Sequence, residues 1–136
     1  MKKLGSVIEF TRQRNDDLMR AYRTQLALVP HIVMSRLFEL VALSPSTRFW
    51  VTEERAAHIV SLMLEDKPLP YMRDNRREMF EEIYRRFISE RRRRPHASLH
   101  ALVCDIVCGP APRFYLTPRT VGEIIYRIRN GWYDRH

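Results

Sequence analysis

The residues of this chain best suited to bind a ligand are arginines, and two stretches concentrate them. The first is the unbroken run Arg91–Arg94, and the second is Arg119, which follows Thr117-Pro118. Thr and then Pro are typical of a helix N-cap and first turn, so the positive end of a helix dipole is expected beside Arg119 and Thr120. Because a guanidinium makes forked contacts with phosphate and with guanine edges, both stretches predict phosphate binding.

Three more arginines lie near the second stretch. Arg127 and Arg129 fall outside the apolar stripe of the helix that begins at Thr117. Arg113 has a counterpart, Arg48, in an earlier segment of similar sequence. For both arginines we favour hydrogen bonds to helix-end carbonyls or to an acidic side chain over contact with phosphate. The predicted set of nucleic-acid-binding residues nevertheless includes Arg113. The set consists of Arg91, Arg92, Arg93, Arg94, Arg113, Arg119, Thr120, Arg127 and Arg129.

A second pattern, His96, His100, Cys104 and Cys108, is spaced by four residues, as metal ligands on one helix are. Structural zinc sites, however, draw ligand pairs from separate elements, and a spacing of four drifts around the helix away from the core face. We therefore predict no metal site and no cofactor here.

Catalytic motifs are absent from the sequence. There is no glycine-rich phosphate loop, no H-E-x-x-H and no nucleophile elbow. The acidic pairs Asp16-Asp17 and Glu81-Glu82 are predicted to lie on solvated helix faces. We do not expect an enzyme.

The charge balance favours a polyanionic partner. The 136 residues carry 24 Lys and Arg against 16 Asp and Glu, a net charge of +8, of which residues 1–71 hold +2 and residues 72–136 hold +6. No apolar run approaches the roughly 18–20 residues that span a bilayer, and the basic N-terminus lacks the apolar region of a signal peptide. With only two cysteines, one turn apart, a reducing cytoplasmic setting without membrane contact is expected.

The elements that must position these residues come from an internal repeat of 65 residues. Ten of 65 positions are identical, and eight of the ten lie within 30–59, including Pro45, Arg48-Phe49 and Thr52 against Pro110, Arg113-Phe114 and Thr117. We therefore predict two domains, 1–71 and 72–136, with the proline-rich segment 67–71 as a linker.

Each copy shows the apolar spacing of three helices. The predicted helices cover about 6–28, 32–43 and from 52 onward, and about 75–93, 97–108 and from 117 onward. The fold prediction is an all-α protein of two tandem three-helix, helix-turn-helix-like units with approximate internal two-fold symmetry. The repeated aromatics Phe49, Trp50, Phe114 and Tyr115 are interpreted as core anchors, with base stacking as the alternative.

Three segments, 45–52, 76–86 and 110–132, resemble a loose group of small basic bacterial proteins that share P-A-P-[RK]-F-[YW]-[LV] segments. The resemblance covers most of the chain. It implies a bacterial setting and names no activity and no site residue.

These patterns favour a nucleic-acid-binding protein, a regulator or accessory factor of duplex DNA. The second copy of the repeat is expected to make most of the DNA contacts. In the first copy the third helix begins with Glu53 and Glu54, whose carboxylates repel phosphate. The alternative is an interaction or scaffold protein whose arginines meet an acidic protein. The chain is expected to be a monomer with internal pseudo-symmetry or a homodimer.

Overall fold

The computed structural model describes the backbone of residues 2–29 and 31–135 and the side chains of residues 7–29 and 31–134. These residues form seven helices and no strand beyond single bridge residues at Ser46 and Ala111, which confirms the predicted all-α class. The helices are α1 (Lys2–Leu28), α2 (Met34–Ala42), α3 (Glu53–Leu64), α4 (Asp74–Arg93), α5 (Leu99–Val107), α6 (Pro118–Arg129) and α7 (Trp132–Arg135). Within the described residues no helix combines the length and the apolar character needed to cross a bilayer.

The first compact unit, called unit 1, is built from Met1–Ser46 and Pro112–His136. In it α1, α2 and α6 pack on one another, and α7 packs on α6. Its core comes from one apolar face of each long helix, namely Leu18, Ala21 and Tyr22 of α1, Leu37 and Val41 of α2, and Val121, Ile124 and Ile125 of α6. Gly122 allows the close approach of α6 to α2, since a Cβ there would lie 2.8 Å from the ring of Phe38.

The second compact unit, called unit 2, is the continuous segment Thr47–Ala111. Its helices α3, α4 and α5 pack pairwise. The core again takes one face from each helix, namely Ala56, Ile59 and Val60 of α3, Met79, Phe80, Ile83 and Phe87 of α4, and Leu102, Val103, Ile106 and Val107 of α5.

The helices thus group in threes, but not as the two triplets α1–α3 and α4–α6 of the sequence repeat. Each unit joins the first two helices of one repeat to the third helix of the other, so the division in the structure differs from the predicted domains 1–71 and 72–136. Because α2 and α3 belong to different units, consecutive helices do not form the predicted helix-turn-helix. The partner of α2 is α6, and the partner of α3 is α5.

Local structure nevertheless recurs at the 65-residue offset. Helices α5 and α6 begin and end 65 positions after α2 and α3. The left-handed residue that follows the third helix also recurs, with φ of 54° at Asp66 and 68° at Gly131. The two third helices have equivalent N-caps, because the side chains of Thr52 and Thr117 each accept a hydrogen bond from a backbone N–H three residues later.

The connection before each third helix is held by a buried phenylalanine. Phe49 and Phe114 are 1% and 4% exposed, so their interpretation as core anchors is confirmed. The N–H of Phe49 donates to the carbonyl of Val107 at 3.0 Å, and the N–H of Phe114 donates to the carbonyl of Ala42 at 3.1 Å. Each bond fastens a connection to the end of the second helix in the same unit.

One prediction about the acidic pairs was wrong. Asp17 is buried at 6% exposure, and its carboxylate accepts two hydrogen bonds from Arg20, at 3.0 and 2.8 Å. Glu82, 65 positions later, is half-buried and pairs with Arg85 and Arg86. Burial without a partner would be costly for a carboxylate, and the arginines on the same helix supply the compensating charge.

Candidate nucleic-acid interface

The start of α6 has the chemistry that the sequence predicts. Thr117 accepts from the N–H of Thr120 at 3.1 Å, Pro118 stands in the first turn, and no acidic residue occupies that turn. The side chain of Arg119 is 88% exposed, and its Nε lies 3.2 Å from Glu123. Since an exposed pair of this kind contributes little, Arg119 remains available to an anion at this helix end.

Two further predicted residues, Arg127 and Arg129, stand in the last turn of the same helix. Both are exposed. The guanidinium of Arg127 lies 5.1 Å from the ring centre of Trp132. Arg129 makes no ion pair or hydrogen bond within the described part of the chain.

Arg113 and its repeat equivalent Arg48 are half-buried and stack on aromatic rings. Arg113 lies 4.6 Å from the ring centre of Tyr115, and Arg48 lies 5.3 Å from that of Trp50. Arg48 also donates to the carbonyls of Phe49 and Val51, each at 3.1 Å. The stacking holds both guanidinium groups against the connections. The hydrogen bonds to helix-end carbonyls or to an acidic side chain that we favour for this repeated arginine stay a prediction.

The arginine run lies at the end of α4, in unit 2, and two of its four side chains form exposed ion pairs. Arg93 pairs with Glu90 and Arg94 with Asp105, both at 2.8 Å. Arg91 stands 5.6 Å from the ring centre of Phe87. Arg92 alone of the four has no hydrogen bond, ion pair or ring contact among the residues that the structure describes.

The exchange of third helices changes where the surplus charge lies. Unit 1 holds 12 Lys and Arg against 6 Asp and Glu, a net +6, whereas unit 2 holds 12 against 10, a net +2. The run 91–94 is therefore in the less basic unit, and the predicted residues from 113 to 129 are in the more basic one. The structure does not bring the two predicted stretches into one unit.

Unit 1 also contains basic residues that the sequence reasoning missed. Arg12 and Arg23 of α1 are exposed, and neither forms an ion pair or hydrogen bond in the described part of the chain. The binding surface was predicted in the second copy of the repeat, whereas α1 belongs to the first copy. The apolar stripe of α1 contains Leu18, Ala21 and Tyr22. Arg12 and Arg23 lie outside this stripe, and that position is the sequence signal of an exposed cation.

The equivalent helix start in unit 2 is acidic and occupied. Glu53 and Glu54 stand in the first turn of α3. Glu53 accepts a hydrogen bond from the thiol of Cys108 at 3.4 Å and lies 3.7 Å from Arg48. These carboxylates satisfy the helix dipole and leave no favourable place for a phosphate.

The histidine and cysteine stripe follows one side of α5 and its N-terminal approach. The Sγ of Cys104 lies 3.4 Å from Nε2 of His100, while Cys108 is engaged with Glu53, and His96 is exposed. Among the described residues no three His, Cys, Asp or Glu side chains are placed to share a metal ion. Desolvation of the sulfur atoms raises the pKa of both thiols from the ordinary value of cysteine, which disfavours the nucleophilic thiolate form.

Comparison with known proteins yields no matching family model, no matching curated protein and no matching solved structure.

Proposed function

We propose that the protein binds nucleic acid, in the form of duplex DNA, through unit 1, and acts as a regulatory or accessory factor. The observation that carries the proposal is the distribution of charge along α6. This helix joins an N-terminus without acidic residues to exposed arginines in its first and last turns, Arg119, Arg127 and Arg129, within a unit of net charge +6.

The spacing along α6 supports a duplex. At a rise of 1.5 Å per residue, Arg119 and Arg127 lie about 12 Å apart along the helix axis, close to the width of the major groove of about 12 Å. Phosphates on the two sides of the groove are then within reach of the two ends of the helix. Arg12 and Arg23 of α1 add exposed cations in the same unit.

The proposal is tested by fluorescence anisotropy with a labelled short duplex across a series of salt concentrations. Affinity is expected to fall as salt rises, because each phosphate contact releases counterions and contributes about 0.9 to the slope of log K against log salt. Arg119→Gln and Arg127→Gln should each weaken binding and flatten that slope.

Arg77→Gln is the matched control, since Arg77 is an exposed arginine of unit 2 that pairs with Asp74 at 3.6 Å. It removes the same charge from a place outside the proposed interface. Binding that is absent even at low salt would overturn the proposal. An equal loss for Arg77→Gln and Arg119→Gln would reduce it to non-specific attraction by net charge.

A second candidate is the interaction protein with an acidic protein partner. The observation in its favour is the ion pairing of unit 2, where Arg77, Arg85, Arg86, Arg93 and Arg94 each face a carboxylate of the same unit. Arginines scattered among carboxylates suit a protein surface better than a phosphate backbone. Retention of an acidic protein together with no affinity for DNA would favour this candidate.

The duplicated architecture belongs to the same proposal. We infer that two copies of one three-helix unit, with approximate two-fold symmetry, underlie the chain. The recurrence of helix bounds and of the Phe49 and Phe114 hydrogen bonds at an offset of 65 supports the duplication. The choice between monomer and homodimer is made by sedimentation equilibrium. The bacterial setting stays a prediction.

A further inference from the structure

Unit 1 contains a cavity between α2 and α6 that shares only Arg129 with the proposed interface. Its volume is about 350 Å³, and it is lined by Met34 and Phe38 of α2, by Gly122, Tyr126 and Arg129 of α6, and by Asn130. The volume falls within the range of small-ligand sites, which are lined mainly by apolar and aromatic groups with a few polar ones. The absent Cβ of Gly122 brings the ring of Phe38 against α6 at one wall.

Three side chains at its rim, those of Tyr126, Met34 and Arg129, are exposed. Tyr126 is 70% exposed, and its ring contacts no other aromatic ring or cation in the described residues. Met34 is 45% exposed. Arg129 is exposed one turn beyond Tyr126 and has no carboxylate partner among the residues described. A flat aromatic ring beside an unpaired guanidinium suits a ligand that joins an aromatic ring to a phosphate.

The internal repeat shows that the fold does not demand these groups. At the positions of unit 2 that lie 65 residues away, Tyr126 corresponds to Ser61 and Arg129 to Leu64. Phe38 corresponds to Val103 on α5. Unit 2 therefore builds the same helix pair with neither the aromatic ring nor the cation, and both are peculiar to the cavity of unit 1.

We infer that this cavity takes an unpaired nucleobase of the bound nucleic acid, with Tyr126 stacking on the base and Arg129 contacting the adjacent phosphate. The inference rests on the proposed function and adds a substrate class to it, namely nucleic acid with an extruded or single-stranded base. Stacking tolerates every base, because each has a π face, so the preference is for unpaired structure rather than for sequence.

The test compares a fully paired duplex with one that carries a single unpaired 2-aminopurine. The wild-type protein is expected to bind the second duplex about 5- to 150-fold more tightly, the range for stacking one base on an aromatic side chain. The 2-aminopurine fluorescence should fall on binding. Tyr126→Ala should remove both the preference and the quenching, Tyr126→Phe should keep them, and Arg129→Gln should reduce the preference.

Matched controls come from unit 2, where Ser61→Ala and Leu64→Gln should leave the preference unchanged. Because Tyr126 and Arg129 are exposed, the variants are expected to unfold at the wild-type temperature, which circular dichroism checks. Equal affinity for the two duplexes, or a preference that survives Tyr126→Ala, overturns the inference while leaving the proposed function intact. Failure to bind either duplex at low salt overturns the proposed function and the inference with it.

Discussion

Phe49 and Phe114 anchor the two connections, and replacing either with alanine is expected to destabilise the protein by about 3–5 kcal/mol. At 1% and 4% exposure both rings are removed from water. Burying a phenylalanine contributes about 1.5–3 kcal/mol of transfer free energy. The rest comes from the cavity left behind, because α-helical walls on several sides cannot all collapse into it.

Urea and thermal unfolding followed by circular dichroism measure the loss. For a chain of this size the melting temperature is expected to fall by roughly 10–20 °C. The backbone hydrogen bonds from Phe49 to Val107 and from Phe114 to Ala42 involve main-chain atoms only and survive the substitution. The loss therefore reports the ring itself.

Tyr71→Ala is the control, since Tyr71 is an aromatic residue that is 90% exposed. Its removal should change stability by no more than about 0.5 kcal/mol. If Phe49→Ala or Phe114→Ala behaved like Tyr71→Ala, the rings would not be anchors. Their burial would then contribute nothing to holding the third helix in place.

The equivalent helices α2 and α5 differ in their N-cap residues. Ser98 caps α5 through its side chain, whereas Val33 leaves α2 without a side-chain cap. Val33 has the same extended conformation and is 68% exposed. Val33→Ser should stabilise the protein by about 1 kcal/mol and Ser98→Val should destabilise it by a similar amount, as denaturant unfolding would show; changes of the same sign would contradict this. Hydrogen bonding from a neighbouring arginine lowers the pKa of Glu82, so its ionised form stabilises the fold above the unfolded-state pKa and loses that effect as the pH falls through the lowered value. Glu82→Gln should make unfolding less sensitive to acid, and an unchanged pH profile would argue against the pair. Alkylation of Cys104 and Cys108 at pH 8, followed by mass spectrometry, should be slower than that of glutathione, because burial raises the pKa of both thiols; equal rates would contradict this.

Local structure was predictable from the sequence because its determinants are local. The threonines at 52 and 117 start the third helices, and the apolar spacing of Val121, Ile124 and Ile125 gives the inward face of α6. Burial of Phe49 and Phe114 followed from large aromatic rings placed beside a helix cap.

The grouping of helices could not be predicted in the same way. Both copies carry similar apolar faces, so α3 and α6 each suit either pair of first and second helices, and the sequence pattern does not distinguish the two arrangements. The same ambiguity explains where the sequence placed the surplus positive charge. If α6 packed on α4 and α5, Arg119 would belong to the same unit as Arg91–Arg94. The burial of Asp17 was missed for another reason, because a carboxylate gives no apolar signal and its partner Arg20 reads as a second solvated charge.

The order in which a ribosome delivers the helices differs from the order in which the two units can be completed. Unit 2 is one continuous segment, so it can fold once residue 111 has left the exit tunnel. The first two helices of unit 1 emerge earlier but must wait for α6, with the apolar faces around Leu18 and Leu37 uncovered. Domains commonly finish from the N-terminus onward during synthesis. Here the inner segment is expected to acquire protease resistance on stalled ribosomes before the segment that precedes it.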